Sequence, residues 1–351
     1  MSKTTRNKVK KMSTEEEAHT AAIQYAIGVV LPMVVRTAVE LDLFQLIENA
    51  GSISAAELAA QLPTSSPGAA AWLDRILRLL TANSILSCGG GDERRYALSA
   101  VGKLFTKNDE GGSYCAASLM TQDKVFVESW YHLKDAILEG GTPFERANGM
   151  SMFEYASKDP RISNLFNQTM SETTLLYKKM VEVYNNFVGI ETLVDVGGGT
   201  GALLNIITSH NPSIKGVNYD LPHVIQQAPS YPEHVEGDMF VSVPKGDAIL
   251  MKNILHNWSD TKCVRILRNC KEALPRNGKV VIVEYILLET PKSGEAIVEE
   301  LVTMVMSAYY PGGKERTEME FRILGKQAGF EGFKKVCKCN ASKMWFMEFY
   351  N

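Results

Sequence analysis

Leu193-Val194-Asp195-Val196-Gly197-Gly198-Gly199-Thr200-Gly201 decides the fold of this chain. Four residues that read as a short buried strand run directly into glycines, and a helical segment, Ala202–Ser209, follows. Strand, tight turn and helix in that order open a nucleotide-type α/β sheet. Glycines at the turn let the backbone come close to a ligand and let the helix start pointing at it. Moving outward, Lys215–Asp220, Ala248–Met251 and Lys279–Glu284 read as further strands, with Asp260–Ala273 as a helix between the last two. This alternation predicts a parallel sheet with helices on both faces.

Ahead of it the pattern is helical. Ala21–Leu46 is apolar almost all round, with Pro32 kinking it or starting a new helix. A helix of that kind has to be buried, and a small domain has too little interior to hide it, so a partner chain is the expected cover. Ser54 and Glu57 form a capping box, Ala69–Thr81 reads as a second helix, and Ile85–Cys88 with Arg95–Leu98 reads as a hairpin. Helix, helix and hairpin make a winged-helix pattern. Its second helix carries only Arg75 and Arg78 beside Asp74, which argues against a nucleic-acid partner and for a dimerisation module. The expected organisation is a disordered tail over residues 1–14, a winged-helix dimerisation domain over 15–120 and an α/β domain over 121–351.

Composition narrows the function classes. The chain has 351 residues and a net charge of −3, which gives no reason to expect nucleic acid or an acidic membrane surface. Lys3, Arg6, Lys8, Lys10 and Lys11 sit in the polar tail and read as solvated. No apolar run reaches the ~18 residues of a membrane span, and no leader precedes the tail, so a cytoplasmic protein is expected. The six cysteines read as reduced thiols; Cys263 and Cys270 share a helix and are expected to face a core. Cys337 and Cys339 are the one tight pair, too little for a metal site, and none is expected.

The glycine motif alone is ambiguous, since Gly197-x-Gly199-x-x-Ala202 also passes as a dinucleotide fingerprint. Other residues shift the balance. Asp220, at the end of the next strand, is placed to hold a ribose hydroxyl pair. Asp238 can accept from an adenine amine, and Met239 can stack on the ring. No extra basic residue waits for a pyrophosphate. S-adenosylmethionine has a ribose and an adenine, no phosphate, and a sulfonium charge that acids suit. His256 follows the strand that contains Lys252, at the carboxyl end of the sheet where ligands bind. Glu284 ends the next strand and Glu315 lies in a glycine-rich loop; a carboxylate fixes the tautomer of a catalytic imidazole.

Taken together, Asp195–Gly201, Asp220–Val224, Gly237–Phe240, His256–Asp260 and Gly312–Thr317 resemble the plant caffeic-acid-type O-methyltransferases. The likeness runs from about Glu15 to the end of the chain. It implies a homodimer, a Rossmann-like methyltransferase domain and S-adenosyl-L-methionine as cofactor. It places the cofactor on Gly197, Asp220, Leu221, Asp238, Met239 and Lys252, and makes His256 the base, flanked by Glu284 and Glu315. The acceptor walls are expected at Met120, Thr121, Phe153, Ala156, Phe166, Met170, Glu172, Met306 and Tyr310. The chain departs from the family at Asn257, where the family has Asp, and at Ala156, Tyr310 and Thr121, where polar His, Asn and Asn are usual. The segment around Glu172 is one residue shorter than the family's. These changes favour a rigid, cationic acceptor: Ala156 opens volume, Tyr310 offers an aromatic face and Glu172 a matching charge. A protoberberine-type alkaloid is therefore the expected acceptor, ahead of a phenylpropanoid such as caffeic acid or a flavonoid.

Overall fold

A computed structural model describes residues 14–230 and 233–351. The tail expected over residues 1–14, with its basic run, lies outside the described residues apart from Thr14, which opens the first helix. The chain forms two compact units, which divide between Lys103 and Leu104.

In the first unit the long apolar stretch is three helices, Thr14–Ala26, Val30–Glu40 and Leu43–Ala50. Pro32 falls in the first turn of the second, where its missing N–H takes no bond from the helix. Ile23, Tyr25, Ile27, Val29 and Val30 are exposed on this chain. Among the described residues no single helix is long and apolar enough to cross a membrane. The helix Ala55–Gln61 starts in the expected capping box: Ser54 N–H donates to Glu57 Oε2 at 2.9 Å, and Glu57 N–H to Ser54 Oγ at 3.3 Å. The helix Ala69–Ala82 and an antiparallel hairpin, β1 (Leu86–Gly89) and β2 (Arg95–Leu98), complete the winged pattern. Asp74 holds Arg94 through two bonds, of 3.0 and 2.8 Å, and accepts from the Tyr96 hydroxyl at 2.7 Å, so wing and second helix are tied together.

Among the described residues the second unit carries a seven-stranded sheet. Its strands are β3 (Thr192–Val196), β4 (Lys215–Asp220), β5 (Glu233–Glu236), β6 (Ala248–Lys252), β7 (Lys279–Glu284), β10 (Gly332–Lys338) and β11 (Trp345–Tyr350), in the order β10-β11-β7-β6-β3-β4-β5. A separate short pair, β8 (Ile286–Leu287) and β9 (Arg316–Thr317), lies outside it. The sheet is mixed, not wholly parallel: β11 runs antiparallel to β7 and β10 antiparallel to β11. Alternation sorts the side chains. Val194, Val196, Ile249, Met251, Val280 and Ile282 face the helices Asp260–Ala273 and Glu318–Ala328. Leu193, Ala248, Leu250, Val281 and Val283 face the other way, toward the helix Ala202–His210. Cys263 and Cys270 lie buried in the first of these cores. The strand order turns back at β3, which has β4 on one side and β6 on the other, so a crevice opens at the carboxyl ends of these strands.

Candidate active site

The glycine turn is held from several directions. Gly197, Gly199 and Gly201 have φ of 70°, 60° and 83°, a region that side chains disfavour. A Cβ at Gly197 would come within 2.4 Å of Ile254 Cδ1. Gly197 N–H donates to Tyr219 O at 2.8 Å, and Gly199 N–H to Asp220 Oδ2 at 2.8 Å. The other Asp220 oxygen accepts from Leu221 N–H at 2.7 Å. Burial raises the Asp220 pKa, against the pull of these two N–H groups. Across the crevice, Asp238 Oδ1 accepts from Phe240 N–H at 2.8 Å, and Met239 O accepts from Asn269 Nδ2 at 2.7 Å. Gly197, Gly199, Asp220, Asp238, Met239 and Phe240 line a cavity of about 350 Å³. Every residue expected to hold the cofactor, Gly197, Asp220, Leu221, Asp238, Met239 and Lys252, lines it.

The lining fits S-adenosylmethionine. Among the described residues it contains Asp195, Asp220 and Asp238, and no arginine. Its lysine, Lys252, has a pKa pushed down to about 8 by burial, with Asp195 opposing the shift. Burial pushes Asp195 up to about 7, while Lys252 opposes and Asp220 adds. Acids without a phosphate clamp suit a ligand with ribose hydroxyls and a sulfonium.

His256 sits in a tight turn, Leu255–Asn257, just past β6. Glu315 Oε1 lies 2.7 Å from its Nδ1, and both side chains are buried. Burial works against the imidazolium, but the Glu315 charge and hydrogen bond, with Glu284 nearby, outweigh it and raise the His256 pKa. Glu284 bonds the turn and not the ring: its Oε1 accepts from the N–H groups of Ile254, Leu255 and His256 at 2.9, 2.6 and 3.3 Å. Arg316, fully buried, holds the turn's other side by donating to the carbonyls of Leu255 at 2.9 Å and Trp258 at 2.8 Å. The turn is thus clamped by a carboxylate on its donors and a guanidinium on its acceptors. His256 itself is not a lining residue of the cavity; its neighbours Asn257 and Trp258 are.

The acceptor side departs from expectation. Phe153, Ala156, Phe166 and Met170 line the cavity; Met120, Thr121, Glu172, Met306 and Tyr310 do not. Glu172 is buried on the opposite face of the helix Pro160–Leu176, about 200° around from Met170 at 100° per residue. There it accepts from Gln168 Nε2 at 2.8 Å and Ala116 N–H at 3.4 Å, with Lys107 Nζ 3.6 Å away. Its charge is matched by Lys107 of this same chain and not left for an acceptor. Tyr310 is buried with its ring 5.0 Å from Phe153 and its hydroxyl on Met152 Sδ, so its face is already covered. Met120 and Met306 pack in the same aromatic cluster, and the Thr121 hydroxyl donates to Ala117 O at 2.9 Å.

Other lining residues were missed. Trp258 stacks on Phe153 at 5.5 Å and meets Phe240 edge-on at 4.8 Å. Ser163, Asn167 and Thr174 join Phe166 and Met170 along one face of their helix. Their spacing of three and four residues was the available signal. Arg316 gave none beyond its place next to Glu315.

Two family models match the chain: an O-methyltransferase domain over residues 130–331 and an O-methyltransferase dimerisation domain over 23–108. The chain is 56% identical to a caffeic acid 3-O-methyltransferase of Catharanthus roseus, over 97% of each chain. It is 55% identical to an esculetin O-methyltransferase of Kitagawia praeruptora, over 95% of each. Among solved structures, human N-acetylserotonin methyltransferase in complex with SAM superposes with a TM-score of 0.84 over 97% of this chain and 99% of that one, at 23% identity, a likeness of fold.

Proposed function

This chain belongs to the plant caffeic-acid-type O-methyltransferases, which depend on S-adenosylmethionine, and we propose that it methylates a phenolic hydroxyl of a phenylpropanoid with His256 as the base. The observation that carries the assignment is the 2.7 Å bond between His256 Nδ1 and Glu315. With its N–H on Nδ1 facing a buried carboxylate, the ring keeps Nε2 as the basic nitrogen.

When bound, S-adenosylmethionine supplies a methyl carbon activated by its sulfonium. The chain supplies the rest. Gly197, Asp220, Leu221, Asp238, Met239 and Lys252 hold the cofactor, with Asp220 accepting from the ribose. A phenol near pKa 10 and a histidine near 6.5 differ by about 5 kcal/mol. Glu315 narrows that gap by stabilising the imidazolium, which accords with the raised His256 pKa. The remaining difference would be met by His256 Nε2 taking the phenolic proton in the same step in which the oxygen receives the methyl group, its bond to sulfur breaking and S-adenosylhomocysteine leaving. Glu284 and Arg316 act through the turn and keep the ring in place, so most of the rate gain comes from alignment.

The phenylpropanoid acceptor replaces the expected alkaloid. Support for the alkaloid rested on Ala156, Tyr310 and Glu172; Ala156 lines the cavity but carries no charge to select a cation, Glu172 is matched by Lys107, and the Tyr310 face is covered by Phe153. Support for phenylpropanoids comes from the relatives, whose names give caffeic acid and esculetin, both catechols. The exposed apolar residues of the first two helices support a homodimer through the first unit. Competitive turnover of a caffeoyl compound, a flavonoid and a catechol alkaloid tests the acceptor. The caffeoyl compound is expected to lead by about tenfold or more in kcat/KM, about 1.4 kcal/mol. An equal lead for the alkaloid would overturn the assignment.

A further inference from the structure

Behind the glycine turn, Asn218 on β4 is fully buried. Its Nδ2 donates to Gly199 O at 2.8 Å and lies 3.0 Å from His234 Nδ1 on β5. The other ring nitrogen of His234, Nε2, lies 2.7 Å from Pro229 O. The arrangement has one consistent assignment of protons. Pro229 O only accepts, so Nε2 carries the hydrogen and Nδ1 is the acceptor. Asn218 then uses both of its N–H hydrogens, one on His234 and one on Gly199. The reversed amide would set Oδ1 against the Gly199 carbonyl, acceptor against acceptor.

We propose that Asn218 and His234 are positioning residues for the cofactor: His234 orients the Asn218 amide, and the amide pins the Gly199 peptide from behind. That peptide is fixed at both ends. Its neighbouring N–H reaches Asp220 Oδ2 at 2.8 Å, so the residue that holds the Gly199 carbonyl also sets the angle at which the Asp220 carboxylate is engaged. The same amide explains Gly198. A Cβ there would lie 2.1 Å from Asn218 Oδ1 and 2.8 Å from the Asp195 carboxyl. Asn218 Oδ1 has no partner among the described residues, so Asn218 is held through its donors alone. A buried amide that accepts this deficit is explained by what its donors hold. Neither residue lines the cavity, and both act through the turn.

This inference rests on the proposed cofactor site, and calorimetric binding of S-adenosylhomocysteine separates the two. Wild-type protein that fails to bind it would overturn both. With wild-type binding in hand, Asn218→Leu removes the donor to Gly199 and is expected to weaken binding about tenfold, the cost of an unpaired buried carbonyl. His234→Phe keeps that donor but removes its orientation, with an expected loss of about threefold. His234→Gln restores an acceptor and a donor and is expected to bind within about twofold of wild type. In steady-state kinetics His234→Phe should raise KM for the cofactor and leave KM for the phenol unchanged. His234→Phe binding as wild type, or His234→Gln losing as much as His234→Phe, would overturn the inference, whether or not Asn218→Leu folds.

Discussion

The two sides of the cavity were built by different rules. On the cofactor side, every residue proposed to hold the cofactor stands at or just beyond a strand end: Gly197 after β3, Asp220 closing β4, Asp238 two residues past β5, Lys252 closing β6. The β-ladder fixes such positions, because parallel register sets where each strand stops. On the acceptor side the wall is helical. Whether a residue there faces the cavity depends on the rotation of the helix about its axis, and two positions take Met170 to Glu172 from one face to the other. Strand-end chemistry is legible from the order of residues; helix-wall chemistry needs the packing.

The largest effect expected on the cofactor side is at Asp220. Asp220→Ala removes the ribose acceptor and the partner of the Gly199 and Leu221 N–H groups. Hydrogen bonds to a charged group are worth about 1.5–3 kcal/mol, so affinity for S-adenosylhomocysteine should fall about 10- to 100-fold by calorimetry. Unchanged affinity would put the ribose elsewhere and break the contrast.

A smaller effect is expected where the sides meet. The His256 pKa is raised, with Glu315 as the chief cause acting against burial, and a base must be unprotonated. The acid limb of kcat/KM should therefore lie above about pH 6.5, activity falling as pH drops through it. Glu315→Gln takes away the charge that raises the pKa. Its limb should move to lower pH, with kcat down about tenfold as the imidazolium loses its support. The linkage has the same sign: the folded-state preference for protonated His256 stabilises the protein at low pH and is lost as pH rises through the raised pKa. A limb that stays in place would remove Glu315 from the mechanism.

The smallest effect belongs to the helix wall. Glu172→Gln should leave the acceptor preference within about twofold, because the carboxylate touches Lys107, Gln168 and the Ala116 N–H and not the cavity. A large shift in preference between a cationic and a neutral acceptor would show that Glu172 senses charge in the site.

The legibility of the sequence follows the same division. The capping box at Ser54 and the strands β3, β4, β6 and β7 are legible, because local chemistry and short buried apolar runs set them, and the six residues proposed to hold the cofactor all line the cavity. Strands β5, β10 and β11 were not read: β5 is charged at both ends, Lys334, Lys335 and Lys338 break up β10, and β11 is apolar nearly throughout. Glu284 is expected to flank His256 beside Glu315, and its charge does help to raise the His256 pKa. What the sequence did not show is that its carboxylate accepts from three backbone N–H groups of the turn, a contact with no side-chain signature. Arg316 escaped for the same reason, its partners at the turn being carbonyls.

The central claim is that His256 moves the proton while the glycine side holds the cofactor. A single-turnover assay with labelled S-adenosylmethionine, a caffeoyl acceptor and His256→Ala tests it most directly. The variant is expected to bind S-adenosylhomocysteine as wild type does and to transfer methyl about 10²- to 10⁴-fold more slowly. Transfer near the wild-type rate would contradict the assignment of the base.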